Sequence, residues 1–581
     1  MRYMRPFTAR SAQGLVARTY AQIKPEFGAL VEPLTLHSPV PEVIGTAVFF
    51  HYVNRMVSVL LGETPLPLGN ARLKPVLRTP ATWFFAPAVR RPKAVGRTLL
   101  LALLLALTAL ATTSPQGIGG PAGCAAQAPV GKASAQAGAF RYSRFTPQVI
   151  YVDGVDSTTL EIATSKAGVA EVSVLWDDAP LRLYDDHTHG DRMAGDGIYT
   201  LNGLTLDWPA GLPLPFEGVL STNGFQVTIR HSDGSLETLY DPVLGMVRPD
   251  QRLPFVDLGT GLSATRAAFF IVDSTGQIFP NMPLTALNDR YRPLRAATQR
   301  LYSALPDAFD FLFVMPNARI FEPSGYGERV PYCIMARNDV QHIGVPLFDE
   351  SASFGSHGRL RAVVYHSWDV GAILDHEIGH AWGMRIGYSL GLADSNPPPE
   401  RYGHWLAEAD IAGQMSQFVF SGPIVGKLTS NGDGTWRLAQ QSSGTEPYSP
   451  LELYVMGLIP PEQVSPLHRL VNPNYSNPQR VTAQQVVTVT IQQIMAAEGG
   501  PRVPARPQAQ HDFRGAFIAV SDRPFTDAER AFYTLAAEFF GSSRPGKWYE
   551  TPFATGTGGR ASLDMRLPVF SWLYLPTIRR Q

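Results

Sequence analysis

The sequence predicts a multidomain chain in which a β-sandwich module precedes an α/β (α+β) domain that carries the chemistry. Three observations lead there. The chain has 581 residues, room for three to four domains at roughly 150 residues each. Residues 141–248 hold short runs of period-two hydrophobicity separated by Gly, Asp and Pro turns, the pattern of half-buried strands in an antiparallel sandwich. From residue 249 to 567, continuous apolar runs are interleaved with segments of helical spacing, which is an α/β order.

Composition narrows the function classes. Hydrophobic residues make up 45% and aromatic residues 10%, so large cores form and wholesale disorder is excluded. The 49 basic and 49 acidic side chains cancel, and no global charge points to nucleic acid. Cys124 and Cys333 are the only cysteines, which excludes a disulfide framework, a cysteine-based zinc finger and a C-x-x-C redox pair. The function has to reside in a site.

The neutral total conceals an asymmetry. Up to Arg97 there are 13 basic and 4 acidic residues, and the remainder carries 36 basic and 45 acidic ones. The sign changes at an uncharged Leu/Ala run over residues 98–111, preceded by Arg90, Arg91, Lys93 and Arg97. A basic flank, a short apolar core and then small residues form the anatomy of a secretory signal, whereas a spanning helix needs about 20 apolar residues. Residues 90–125 are therefore read as a signal peptide or membrane anchor, with Cys124 in a loose lipoprotein-like box, and 126–140 as a linker. The expected location is secreted or envelope-associated, outside the cytoplasm, with the membrane touched only through this segment.

Residues 1–89 form a basic helical segment. Within it, Pro33-Leu-Thr-Leu-His-Ser-Pro-Val-Pro41 and Phe50-His-Tyr-Val-Asn-Arg-Met-Val-Ser-Val-Leu-Leu-Gly-Glu-Thr-Pro65 resemble parts of the alkylhydroperoxidase-like, carboxymuconolactone-decarboxylase-like family. That resemblance spans residues 18–65 and implies a truncated remnant. With no cysteine before Cys124, peroxidatic chemistry there is excluded.

The module's most distinctive stretch is Tyr184-Asp-Asp-His-Thr-His-Gly-Asp-Arg-Met-Ala-Gly-Asp-Gly-Ile-Tyr-Thr200. It resembles a loop of immunoglobulin-like accessory modules in secreted bacterial proteins. Asp185, Asp186, Asp191 and Asp196 offer hard oxygen ligands for Ca²⁺ in the 185–196 loop. The alternative is a turn whose Asp side chains bond their own backbone.

In the following domain, strands are expected at 267–273, 309–315 and 359–365, a helix over 287–305, and a second helix from about Asp369 to Arg385. This second helix contains His376-Glu377-Ile378-Gly379-His380. Histidines at i and i+4 project from one helical face. They can share one Zn²⁺ while Glu377 stands by to take a proton from water. Val370, Ile373, Leu374 and Ala381 give the helix a face to bury.

With its preceding strand, this motif resembles the zincin metallopeptidases, and up to Gly383 it follows the metzincin pattern. The resemblance assigns the substrate-binding edge strand to residues 360–365. The match then fails, because Ile386 occupies the position of that subgroup's third histidine. Two downstream stretches, Tyr402-Gly-His-Trp-Leu-Ala-Glu-Ala-Asp410 and Tyr448-Ser-Pro-Leu-Glu-Leu-Tyr-Val-Met-Gly-Leu-Ile-Pro460, offer a replacement. His404 is the favoured third ligand, with Glu452, Glu408 and Asp410 as rivals. Met415 or Met456 is a candidate for a methionine turn beneath the metal, against a plain core role. Tyr454 is a candidate catalytic donor to a developing oxyanion. The function implied is a secreted zinc metallopeptidase acting on protein or peptide substrates, and the competing reading is a non-catalytic envelope scaffold. Residues 568–581 are read as a tail.

Overall fold

The computed structural model describes residues 138–568, except 166–167, 178, 208–218, 222–224, 242, 280–289, 319–330, 367–373, 395–401, 417–425, 441–446 and 545–550. The basic segment 1–89, the apolar run, Cys124, most of the 126–140 linker and the tail beyond residue 568 lie outside the described residues. The described chain is mostly β with few helices, arranged in several sheets. Among the described residues no helix is long and apolar enough to cross a membrane.

The first module closes two antiparallel sheets on one core. One sheet joins Phe140–Thr146, Asp153–Thr164 and Ile198–Asp207. The other has the order Ala179–Leu183, Val169–Trp176, Gln226–His231, Leu236–Tyr240. Alternation does the work: Leu160 and Ile162 from the first sheet meet Val172, Val174, Val227 and Ile229 from the second, all with no more than 1% exposure. Trp176 spans the gap, its indole N–H donating to the Thr205 carbonyl at 2.9 Å. A third small sheet pairs Gly245–Val247 with Val149–Tyr151 and Val219–Ser221.

The second region is organised by one mixed sheet. Its order is Val256–Gly259, Leu262–Ala264, Ala268–Val272, Asp512–Ser521, Phe311–Pro316, Ala362–Tyr365, Tyr332–Met335. The strands from Ala268–Val272 through Ala362–Tyr365 run parallel, and Tyr332–Met335 runs antiparallel at the end. Parallel strands covered on both faces need side chains that are apolar in both directions. Phe311-Leu-Phe-Val-Met315 supplies them. Phe311, Phe313 and Met315 enter one core with the His376 helix and the Asp527–Phe540 helix. Leu312 and Val314 enter the other with Leu294, Ala297 and Leu301 of the Tyr291–Tyr302 helix.

One sequence expectation is corrected here. Residues 360–365 are not an edge strand: Ala362–Tyr365 is enclosed between Phe311–Pro316 and Tyr332–Met335. The edge next to the site is the four-residue strand Tyr332–Met335, too short to announce itself by periodicity. The C-terminal stretch supplies Asp512–Ser521 to the middle of the sheet.

Module and sheet region share a core, since Val149, Tyr151 and Val247 pack in the cluster that holds Ala531 and Phe532. The junction is polar at one point. Glu529, 0% exposed, accepts the Gln148 amide at 3.2 Å, Asn317 Nδ2 at 2.9 Å, the Thr526 amide at 2.9 Å and the Arg523 guanidinium at 2.9 and 2.5 Å. Removing one partner of such a buried set strands the others without water. Glu529→Ala is expected to cost about 3 kcal/mol in urea unfolding. A loss under about 1 kcal/mol would show that this carboxylate does not hold the junction.

Candidate metal centre

The chain reaches the site from Ala362–Tyr365 and forms the helix Leu374–Gly379, followed by a 3-10 turn, His380–Trp382. All nine of these residues are buried. The core side carries Leu374, Ile378 and Trp382, with the indole packed against Phe311 and Phe513 at centroid distances of 5.7 and 5.5 Å. The helix does not continue to Arg385 as expected. Gly383 takes φ +72°, and Met384 follows at +43°, a left-handed region that favours glycine and ends a helix.

The reversal at Gly383 returns the chain to the helix. The Gly383 carbonyl accepts the Gly403 amide at 2.7 Å, the His404 carbonyl accepts the Asp394 amide at 2.9 Å, and the Met415 carbonyl accepts the Trp405 amide at 2.9 Å. Bridges from Trp405 to Ala393 and to Ser416 set His404 within a small ladder. Gly403 is obligatory there, because a Cβ would lie 2.3 Å from the Asp394 carbonyl oxygen. Residues 397–399 lie outside the described residues.

Three histidines converge. His376, His380 and His404 each offer a ring nitrogen, and these atoms lie within 4.8 Å of one another. The Nε2 atoms of His404 and His376 are 3.3 Å apart. The His380 ring stands nearly perpendicular to the His376 and His404 rings, at 90° and 86°, with centroids at 4.9 and 4.8 Å. Nδ1 of His376 is 2.6 Å from the Gln414 carbonyl oxygen. A carbonyl only accepts, so Nδ1 carries the proton and Nε2 presents its lone pair to the cluster. The Asp394 carboxylate accepts the His404 amide at 2.5 Å and lies 3.9 Å from that residue's Nδ1.

Tyr402, whose role sequence reasoning missed, lies over His380 with ring centroids 3.9 Å apart. Its signal was present in Tyr402-Gly-His404, two residues ahead of the third histidine.

Burial sets the protonation states. It depresses His376 to about 3 and His404 to about 4. His380 is pushed well below the usual imidazole range by burial and then by repulsion from His404 and His376. All three imidazoles are neutral at neutral pH, the form that ligates metal. Burial pushes Glu377 up to about 8, opposed by the Arg290 charge. Its Oε2 and the Nδ1 of His380 are buried with no hydrogen-bond partner among the described residues. Three neutral nitrogens in a closed space, plus an unsatisfied carboxylate oxygen beside them on the helix, fit a borderline-soft cation with an open coordination position. The His404 side chain retains 20% exposure.

The rivals to His404 are engaged elsewhere. Asp410 accepts the His468 amide at 2.6 Å and its Nδ1 at 2.8 Å. Glu408 stands outside the cluster, its backbone carbonyl accepting the Leu470 amide at 2.9 Å. Glu452 is completely buried, and its two oxygens face four N–H groups: Trp405 Nε1 at 2.8 Å, the Met415 amide at 2.7 Å, the Ser449 amide at 2.5 Å and the Gln414 amide at 3.2 Å. Burial lifts its pKa to about 7 against the pull of these bonds.

Met415 lies directly against the Leu374–Gly379 helix, for a Cβ on Gly379 would meet its Sδ at 2.6 Å. Met456 is buried at the end of the Pro450–Met456 helix, where its carbonyl accepts Arg502 Nη2 at 3.1 Å. The Tyr454 hydroxyl accepts the Arg502 amide at 3.0 Å, and Arg502 and Glu462 are the charged groups acting on it. Residues i and i+2 of a helix face apart, so the helix that turns Glu452 toward the histidine loops turns Tyr454 away.

The acidic loop of the module brings Asp185, Asp191 and Asp196 within 4.8 Å, with Asp186 outside the group. Each carboxylate is already bonded to local backbone. Asp185 accepts from Asp196 and Gly197, Asp191 from His187 and Met193, and Asp196 from Ile198. The bonds to Met193 and Ile198 close Asx turns, and those to Asp185 tie the two ends of the loop together.

No protein-family model, curated protein or solved structure matches the chain.

His404→Ala is expected to release the metal. After dialysis at neutral pH, elemental analysis should find about one zinc per wild-type chain and almost none in the variant, while Glu408→Ala keeps its metal. Full metal retention by the His404 variant would remove it from the ligand set.

Proposed function

We propose that this chain is an exported zinc-dependent endopeptidase of the zincin type. The observation that carries the reading is the convergence of the His376, His380 and His404 nitrogens, with Glu377 between two of them on the helix. His376, His380 and His404 would hold a zinc ion, which would supply Lewis acidity toward water and a carbonyl.

The chain's own residues supply the remainder. Glu377 takes the proton of the attacking water and returns it to the leaving amine. Its burial raises its affinity for that proton, and a neighbouring positive charge brings the group back toward neutral pH, where exchange in both directions is efficient. Gln414 holds the His376 ring in one tautomer, and Tyr402 covers one face of His380 against water. Substrate approaches at the solvent-facing side of His404. In a zincin-like arrangement an extended peptide pairs with the edge strand, and that role passes to Tyr332–Met335. The Glu377 charge acts on the thiol of Cys333 in this strand, which puts strand and general base in one neighbourhood. Export is inferred from the basic flank and apolar run over residues 90–125.

Casein cleavage with and without a chelator tests the reading. Glu377→Gln should retain zinc and fold while lowering turnover by at least about 100-fold. A fall of less than about tenfold would show that Glu377 is not the general base. Stoichiometric zinc with no cleavage across a broad peptide library would turn the assignment to a non-catalytic envelope scaffold.

A further inference from the structure

We infer that Glu452 is the positioning residue of the metal centre, a single carboxylate that fixes two of the three ligands at once. The inference rests on the three-histidine reading and deepens it. One arm runs through Trp405, whose indole N–H donates to Oε1 at 2.8 Å and whose backbone directly follows His404. The other runs through the 413–415 loop. Met415 donates its amide to the same Oε1 at 2.7 Å, and Gln414 donates its amide to Oε2 at 3.2 Å. That loop holds His376 through the Gln414 carbonyl, and Met415 seats its sulfur against Gly379, between the two helix histidines. The arms are also tied to each other by the Trp405 amide on the Met415 carbonyl.

The chemistry of this position demands a carboxylate. Four N–H groups converge on two oxygens, and only a group that accepts at both ends satisfies them. A glutamine would present its own N–H₂ to two of those donors. The backbone is shaped to the same end: Gly413, at φ +93°, lies so close that a Cβ would be 2.2 Å from Oε2. The Pro450–Met456 helix holds the carboxylate in place through its own start, where Ser449 and Glu452 form a reciprocal capping box. A fixed carboxyl group thus reaches His376 by way of a carbonyl and His404 by way of the neighbouring indole, touching neither ring. Partners of this kind typically govern metal affinity by about 10- to 100-fold.

The test measures zinc affinity by competition with a chromophoric chelator and records the visible spectrum of the Co²⁺-substituted protein. Glu452→Gln is expected to weaken zinc binding by about 10- to 100-fold and to alter the Co²⁺ band intensities, which report ligand geometry. Trp405→Phe removes one donor and keeps the packing, so it serves if Glu452→Gln fails to fold. It should weaken zinc by several-fold, up to about tenfold, with far-UV circular dichroism unchanged. Unchanged affinity and spectrum in a folded variant would overturn the positioning role, whatever happens to thermal stability, and would leave the metal site standing. A wild-type chain that takes up neither Zn²⁺ nor Co²⁺ would overturn both.

Discussion

The hydrogen bond from the Gly403 amide to the Gly383 carbonyl is the contact on which the site depends. It closes a loop that begins where the helix stops and ends one residue before His404. Its geometry is demanding at both ends, since Gly383 occupies a positive φ and Gly403 has no room for a Cβ. Two histidines on one helical turn can be had from spacing alone. Adding a third from 24 residues downstream requires the backbone to fold back at close range, and these two glycines permit it.

Once the loop is closed, the cluster is expensive to keep. Three imidazoles and the Glu377 carboxyl are withdrawn from water, and burial shifts every one of them away from its charged form. Nothing in this region gains from that withdrawal by itself. The surrounding apolar cluster sustains it: Leu374, Ile378 and Trp382 on the helix, and Phe311, Phe313 and Phe513 on the sheet are nearly or fully buried. Natural structures tolerate such local cost at functional positions and offset it elsewhere.

The sequence revealed what depends on local spacing and concealed what depends on pairing. His376, Glu377 and His380 are legible because a helix converts i and i+4 into neighbours. His404 was legible as a histidine at the right remove, although the ladder that places it was not. The edge at residues 360–365 is implied only by the zincin resemblance, which does not carry the pairing of this sheet. A four-residue strand at Tyr332–Met335 then occupies that flank, and so short a segment carries no periodicity of its own. Tyr454 and Glu452 were both drawn from one motif as direct participants, but their opposite helical faces separate them. Glu452 is better understood by counting the N–H groups around it than by its residue type, and that count exists only after residues 405, 414, 415 and 449 have met.

The placement of Asp512–Ser521 carries a consequence for how the protein comes into being. Ala268–Val272 and Phe311–Pro316 each find a parallel neighbour in this strand, which leaves the ribosome some two hundred residues after Phe311–Pro316. Until then the sheet is split, and the helix bearing His376 and His380 lacks Phe513, against which Trp382 packs. Contacts this distant in sequence form late and slowly. The packing that holds the histidine helix is therefore completed only after residues 512–521 have been made, and the order of the strands in the sheet, not their order in the chain, decides when the cluster gains its support.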